Sequence, residues 1–145
     1  MPEFILDHGN ADASRQFRAL DSFTQGYITA AFFTSTGPDN EEEGLGDASF
    51  ADIADSALAS IVADCKAWQE ANATLLDAAY GVQGKYERAP YDAERAGNDY
   101  WYTRNGHGTG FWDRGLGELG DKLAAACRYH EVNMVRGNDG LIYFN

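Results

Sequence analysis

Asp-Tyr-Trp-Tyr-Thr-Arg-Asn-Gly-His-Gly-Thr-Gly-Phe-Trp-Asp-Arg, residues 99–114, decides the fold, because its aromatic and β-branched residues flank a glycine-rich centre. Residues 99–104 have the content of a strand, Asn105-Gly106-His107-Gly108-Thr109-Gly110 that of a turn, and Phe111-Trp112-Asp113-Arg114 that of a return strand. The stretch therefore predicts a β-hairpin with an extended glycine-rich tip. Downstream, Leu116, Leu119, Leu123, Ala126 and Cys127 repeat at helical spacing, which predicts a helix over 115–129. Residues 131–136 and 141–145 predict a second hairpin around Gly137-Asn138-Asp139-Gly140.

Upstream, residues 81–98 form a connector with a short helix predicted at 91–96, after Pro90. Phe50, Ile53, Leu58, Ile61, Cys65, Trp68 and Leu76 keep a helical period and predict a second helix over 50–80, broken at most once. Phe17, Leu20, Phe23, Tyr27, Ile28 and Phe32 predict a first helix over 12–34. Between them, residues 35–49 are an acidic, glycine-rich loop, and residues 1–11 are taken as a flexible extension. The fold class expected is α+β: two N-terminal helices, a hairpin, a helix and a second hairpin, with a small antiparallel sheet of three or four strands covered by helices.

The chain has 145 residues, 44% of them apolar and 13% aromatic, which suits a single domain over 1–145 with a substantial core. Cys65 and Cys127 fall on apolar faces without the spacing of a zinc site or a disulfide scaffold, and read as reduced core thiols. No basic stretch followed by an apolar run opens the sequence, so a cytoplasmic protein of a bacterial host is expected, with no membrane contact.

Net charge is −12, and it is segregated: residues 37–79 hold ten acids and one cation, Lys66, a balance of −9. Such a field repels nucleic acid and steers basic proteins toward itself. Helical rotation of 100° per residue brings Asp52, Asp55, Glu70 and Asp77 to one side of the second helix, extending the loop acids Asp39, Glu41, Glu42, Glu43 and Asp47. An unbroken helix would carry this stripe for roughly 35 to 40 Å, the length of several phosphates along a duplex. An ordinary solvated helix face gives the same pattern, and both readings stand.

The run at 99–114, with Gly117-Glu118-Leu119-Gly120, Leu20-Asp21-Ser22-Phe23-Thr24-Gln25-Gly26-Tyr27-Ile28 and Phe32-Phe33-Thr34, resembles a family of small, acidic, uncharacterised proteins encoded by bacteriophages and plasmids. The resemblance covers most of the chain from about residue 17. It implies a mobile-element origin and supplies no activity or catalytic residue.

Read chemically, His107 is the one candidate general base, with Arg104, Trp112 and Asp113 as the neighbours of an alternative ligand site on the hairpin. The competing view is that the glycines only permit a long turn while the aromatics pack. No phosphate-binding glycine motif is present. Asp39, Glu41, Glu43 and Gly44 imitate half of a calcium loop, but Phe50 stands where its last carboxylate belongs. His8, His107 and His130 are scattered, so neither metal nor cofactor is expected. The leading expectation is a non-enzymatic inhibitor of a host defence system, such as CRISPR–Cas or restriction. It would bind a basic, nucleic-acid-binding groove through Asp39, Glu41, Glu42, Glu43, Asp47, Asp52, Asp55, Glu70 and Asp77. The alternatives are a small-ligand binder or enzyme centred on His107, and a phage accessory protein without an antidefence role. A homodimer stays open.

Overall fold

Two helices that cross at glycines organise the molecule, a computed structural model that describes residues 5–6, 10–36, 44–127 and 131–145. The elements are α1 (Ala11–Arg18), α2 (Ser22–Ser35), a 3₁₀ turn (Phe50–Asp52), α3 (Asp55–Ala71), α4 (Ala73–Ala79), α5 (Ala93–Arg104), a second 3₁₀ turn (Phe111–Asp113), α6 (Glu118–Ala126), β1 (Met134–Arg136) and β2 (Ile142–Phe144). The fold is α+β with helices dominating. Among the described residues the sheet has two strands rather than the three or four expected.

Residues 99–104 are not a strand. They are the second half of α5, which starts earlier, where the Asp92 carboxylate accepts a hydrogen bond from the Arg95 amide. Ala96, Gly97, Tyr100, Trp101, Thr103 and Arg104 are buried at helical, not alternating, spacing. Strand propensities of Tyr, Trp and Thr amount to at most about 1 kcal/mol over their whole scale, whereas burying one aromatic side chain contributes roughly 1.5 to 3 kcal/mol. Packing decides. Asn105-Gly106 is not a hairpin turn but the end of this helix: Gly106 takes a φ of 68°, its amide bonds Thr103 O, and the His107 amide bonds Tyr102 O at 3.0 Å. The expected return strand at 111–114 is the 3₁₀ turn Phe111–Asp113, anchored where the Phe111 amide meets Thr103 Oγ1.

The two long N-terminal helices are both divided. Asp21 ends the first by capping a new one, its carboxylate accepting from the Thr24 amide at 2.7 Å and from the Gln69 side chain of α3 at 3.2 Å. Partial burial would raise the Asp21 carboxyl, but the hydrogen bonds from Thr24 and Gln69 outweigh it and hold the pKa below the usual value. The second helix is interrupted at Asn72, whose side chain bonds Trp68 O at 2.9 Å in competition with the backbone. Asp21→Ala should cost about 1 kcal/mol at neutral pH. A carboxylate depressed in the folded state stabilises above its unfolded pKa and loses that contribution as pH falls through the folded value. Urea titrations of both proteins should therefore converge below about pH 4.

α2 and α5 lie so close at Gly26 and Gly97 that a Cβ on Gly97 would stand 1.9 Å from Phe23 O and one on Gly26 2.0 Å from Glu94 O. Their contacts advance in the same sense, from Asn98 Nδ2 on Gly26 O at 2.7 Å to Trp101 Nε1 on Thr34 Oγ1 at 2.9 Å. The helices are thus parallel, with their C-terminal ends on one side. Against them α3 lays Trp68, stacked on Tyr100 at 4.5 Å and on Phe111 at 5.5 Å between ring centroids. The Trp68 indole N–H reaches Ala126 O of α6. The C-terminal hairpin forms as expected, Met134 opposite Phe144 and Arg136 opposite Ile142. It docks on the helices where the Ala54 amide meets Ile142 O. Ile5 and Leu6, in the segment taken as an extension, are buried, as are Leu45 and Ala48 at the end of the acidic loop. Cys65 and Cys127 are free, buried thiols, and burial pushes Cys127 up to about 12. Among the described residues no helix is long and apolar enough to cross a membrane.

Candidate functional site

The acidic surface starts at a loop and ends on two helices. Asp39, Glu41, Glu42 and Glu43 lie outside the described residues. Asp47 is exposed in the turn that follows, and Asp55 is exposed in the first turn of α3. Asp52 serves the fold instead: its carboxylate accepts the Ser49 amide at 3.0 Å and lies 3.7 Å from Arg136 of β1. Glu70 and Asp77 are exposed on α3 and α4, on either side of the interruption at Asn72. At 1.5 Å per residue Asp55 and Glu70 stand roughly 22 Å apart along α3. Ala59, Val62, Ala63 and Lys66 occupy the exposed face between them. The acids form separated points, with no continuous stripe along the described helices. Asp47, Asp55, Glu70 and Asp77 make no ion pair among the described residues, so their charge is directed to solvent.

The alternative set is dispersed. Arg104, in the last turn of α5, is 8% exposed and turns inward. Its guanidinium pairs with Asp64 of α3, donates to Tyr27 and Tyr100 Oη at 3.2 Å, and lies 5.0 Å from the Tyr100 ring centre. Burial alone would lower the Arg104 pKa, but Tyr27, Tyr100 and Asp64 around it hold it up, so it is a permanent cation inside an aromatic wall. Trp112 is exposed next to Phe111, and Asp113 accepts from Thr109 Oγ1 at 2.9 Å. His107 follows the end of α5, its ring edge-on to Tyr102. No described side chain hydrogen-bonds an imidazole nitrogen, so no partner fixes the ring for proton transfer. His107 instead lines a cavity of about 240 Å³ with Ser35, Glu131 and Asn133, residues remote in sequence.

A second charged cluster escaped the sequence. Asp99 of α5, 0% exposed, accepts from Arg114 Nε and Nη2 and from Tyr91 Oη at 2.7 Å. Burial pushes the Asp99 carboxyl up, against the opposing pull of Arg114 and Tyr91, while the carboxylate holds the Arg114 guanidinium charged despite its own partial burial. Arg114 thereby ties the loop after the second 3₁₀ turn to α5. An Asp and an Arg 15 residues apart, read as strand ends, gave no sign of facing each other. Their helical placement supplies the geometry.

Among the described residues no group of three or more His, Cys, Asp and Glu side chains gathers as a metal site. Compared with protein-family models, with curated proteins and with solved structures, the chain matches none.

Proposed function

We propose that this chain acts by binding a basic protein surface, and that its partner is a nucleic-acid-binding component of a host defence system such as CRISPR–Cas or restriction, the chain itself being of mobile-element origin. The observation that carries the reading is the segregated charge: −9 within residues 37–79, with Asp47, Asp55, Glu70 and Asp77 presented to solvent and in no ion pair among the described residues. Charges left unpaired on a surface strengthen encounter with an oppositely charged partner and cost the fold nothing to release. The separation of the acids along α3 favours an electrostatic surface with several discrete contacts over a continuous imitation of a phosphate backbone. The inward commitment of Arg104 and the unsupported ring of His107 favour binding over catalysis.

A triple substitution, Asp47→Lys, Asp55→Lys and Glu70→Lys, tests the reading, because none of the three side chains bonds the described fold. Capture of the partner from host lysate should fall at least about tenfold, equivalent to about 1.4 kcal/mol, while the protein stays folded, its thermal transition lowered only by the loss of up to about 1 kcal/mol that a cation in the first turn of α3 brings. Wild-type capture should also weaken as salt rises. Equal capture by the variant would remove the acidic surface as the binding face.

A further inference from the structure

The parallel arrangement of α2 and α5 brings two helix C-termini to one place, where β1 closes a cavity of about 240 Å³. Its walls are committed. Thr34 Oγ1 accepts from Trp101 Nε1 and donates back to the α2 carbonyls, while Asn105 donates to Trp101 O and accepts the Val132 amide at 2.7 Å. Four other lining side chains, Ser35, His107, Glu131 and Asn133, have no hydrogen bond or ion pair among the described residues. Four uncommitted polar groups on a prearranged frame are what a ligand site requires.

Their chemistry selects the ligand. Glu131 is the one charged side chain in the described lining, which contains no Lys or Arg. The last turn of α2 carries no basic residue, and Arg104 of α5 faces Asp64 and Tyr27 instead of the cavity. Helix C-termini present partial negative charge, and a helix's last carbonyls outrun its own donors. A carboxylate, a hydroxyl oxygen, an amide oxygen and a neutral imidazole nitrogen can all accept, which matches an ammonium group with three donors and no acceptor. Among the described lining residues an anion would meet no Lys or Arg. The volume lies just under the ~300 to 1,000 Å³ of clefts that hold drug-sized molecules, so the ligand is of amino-acid size.

We infer that the cavity between the C-terminal ends of α2 and α5 and the strand β1 is a binding site for a small alkylammonium compound, held by Glu131, Ser35, His107 and Asn133. None of Asp47, Asp55, Glu70 and Asp77, the described acids of the proposed partner-binding surface, lines this cavity.

Calorimetry with 1,4-diaminobutane and its neutral isostere 1,4-butanediol provides the test, on the whole protein. The diamine should bind and the diol should bind at least about tenfold more weakly. Glu131→Gln, which keeps shape and removes charge, should weaken the diamine by a similar factor, and Ser35→Trp, which fills the cavity without changing charge, should abolish its binding. Equal binding of diol and diamine would overturn the cationic assignment, and no binding of either would overturn the site. Diamine binding unaffected by both substitutions yet erased by high salt would place the amine on the diffuse acidic surface and equally overturn it.

Discussion

Gly97→Ala should lower the thermal midpoint by about 10 °C, as a net loss of about 3 kcal/mol would in a domain of this length. Helix propensity alone predicts the opposite, since alanine is favoured over glycine by about 1 kcal/mol inside a helix. The contact reverses the sign. The new methyl would stand 1.9 Å from Phe23 O and 2.8 Å from Tyr27 N, and both are backbone atoms of α2 that no side-chain rotation can move away. The two helices must therefore separate, and the packing of Phe23, Tyr27, Tyr100 and Trp101 between them loosens with them. Gly26→Ala, aimed at Glu94 O, should cost a similar amount, and the double variant less than the sum because one separation accommodates both methyls. Gly108→Ala provides the control, having no atom within 4 Å of the added carbon. A melt by circular dichroism in which Gly97→Ala matches Gly108→Ala would mean that α2 and α5 do not cross at these glycines.

Arg114→Met should cost about 3 to 5 kcal/mol at neutral pH, because it leaves the Asp99 carboxylate buried with Tyr91 as its remaining partner. The pH dependence follows from the sign of the shift. Burial already raises the Asp99 carboxyl in the folded state, and removing the guanidinium raises it further. A carboxyl with a folded pKa above its unfolded one favours folding below the unfolded pKa and loses that contribution as pH rises through the folded value. The deficit of Arg114→Met should thus be largest near pH 8 and shrink as pH is lowered toward 5. Asp99→Asn in the Arg114→Met background should recover part of the loss at pH 8, since the amide is neutral. A deficit independent of pH would show that Arg114 acts through packing of its stem, and the recovery in the double variant would then be absent.

The elements that sequence alone made legible are those with a strong local pattern. The C-terminal hairpin follows from Gly137-Asn138-Asp139-Gly140 between two apolar runs, and α3 and α6 follow from their apolar spacing. The misread stretch, 99–114, contains a signal that could have been used: Asn105-Gly106 suits a helix C-terminus as well as a hairpin turn, and would have let the short helix expected at 91–96 run on to Arg104. Propensity favoured the strand because tyrosine, tryptophan and threonine prefer pleated surfaces, and it could not weigh what those rings would pack against. The same limit governs the candidate site. The acids of 47–77 were visible as charge, but their pairing was not: Asp52 belongs to Ser49 and Arg136, and Asp64 to Arg104, over separations of up to 84 residues.

By itself the sequence determined composition, segregated charge, the helical majority of the core and the final hairpin, because each is set by residues within a turn or two of one another. Only the tertiary structure decided that 93–104 is one helix, that glycines join it to α2, that Asp99 faces Arg114, and that Ser35, His107, Glu131 and Asn133 share a cavity. These are outcomes of competition between burial and local preference, and burial depends on partners that lie far along the chain.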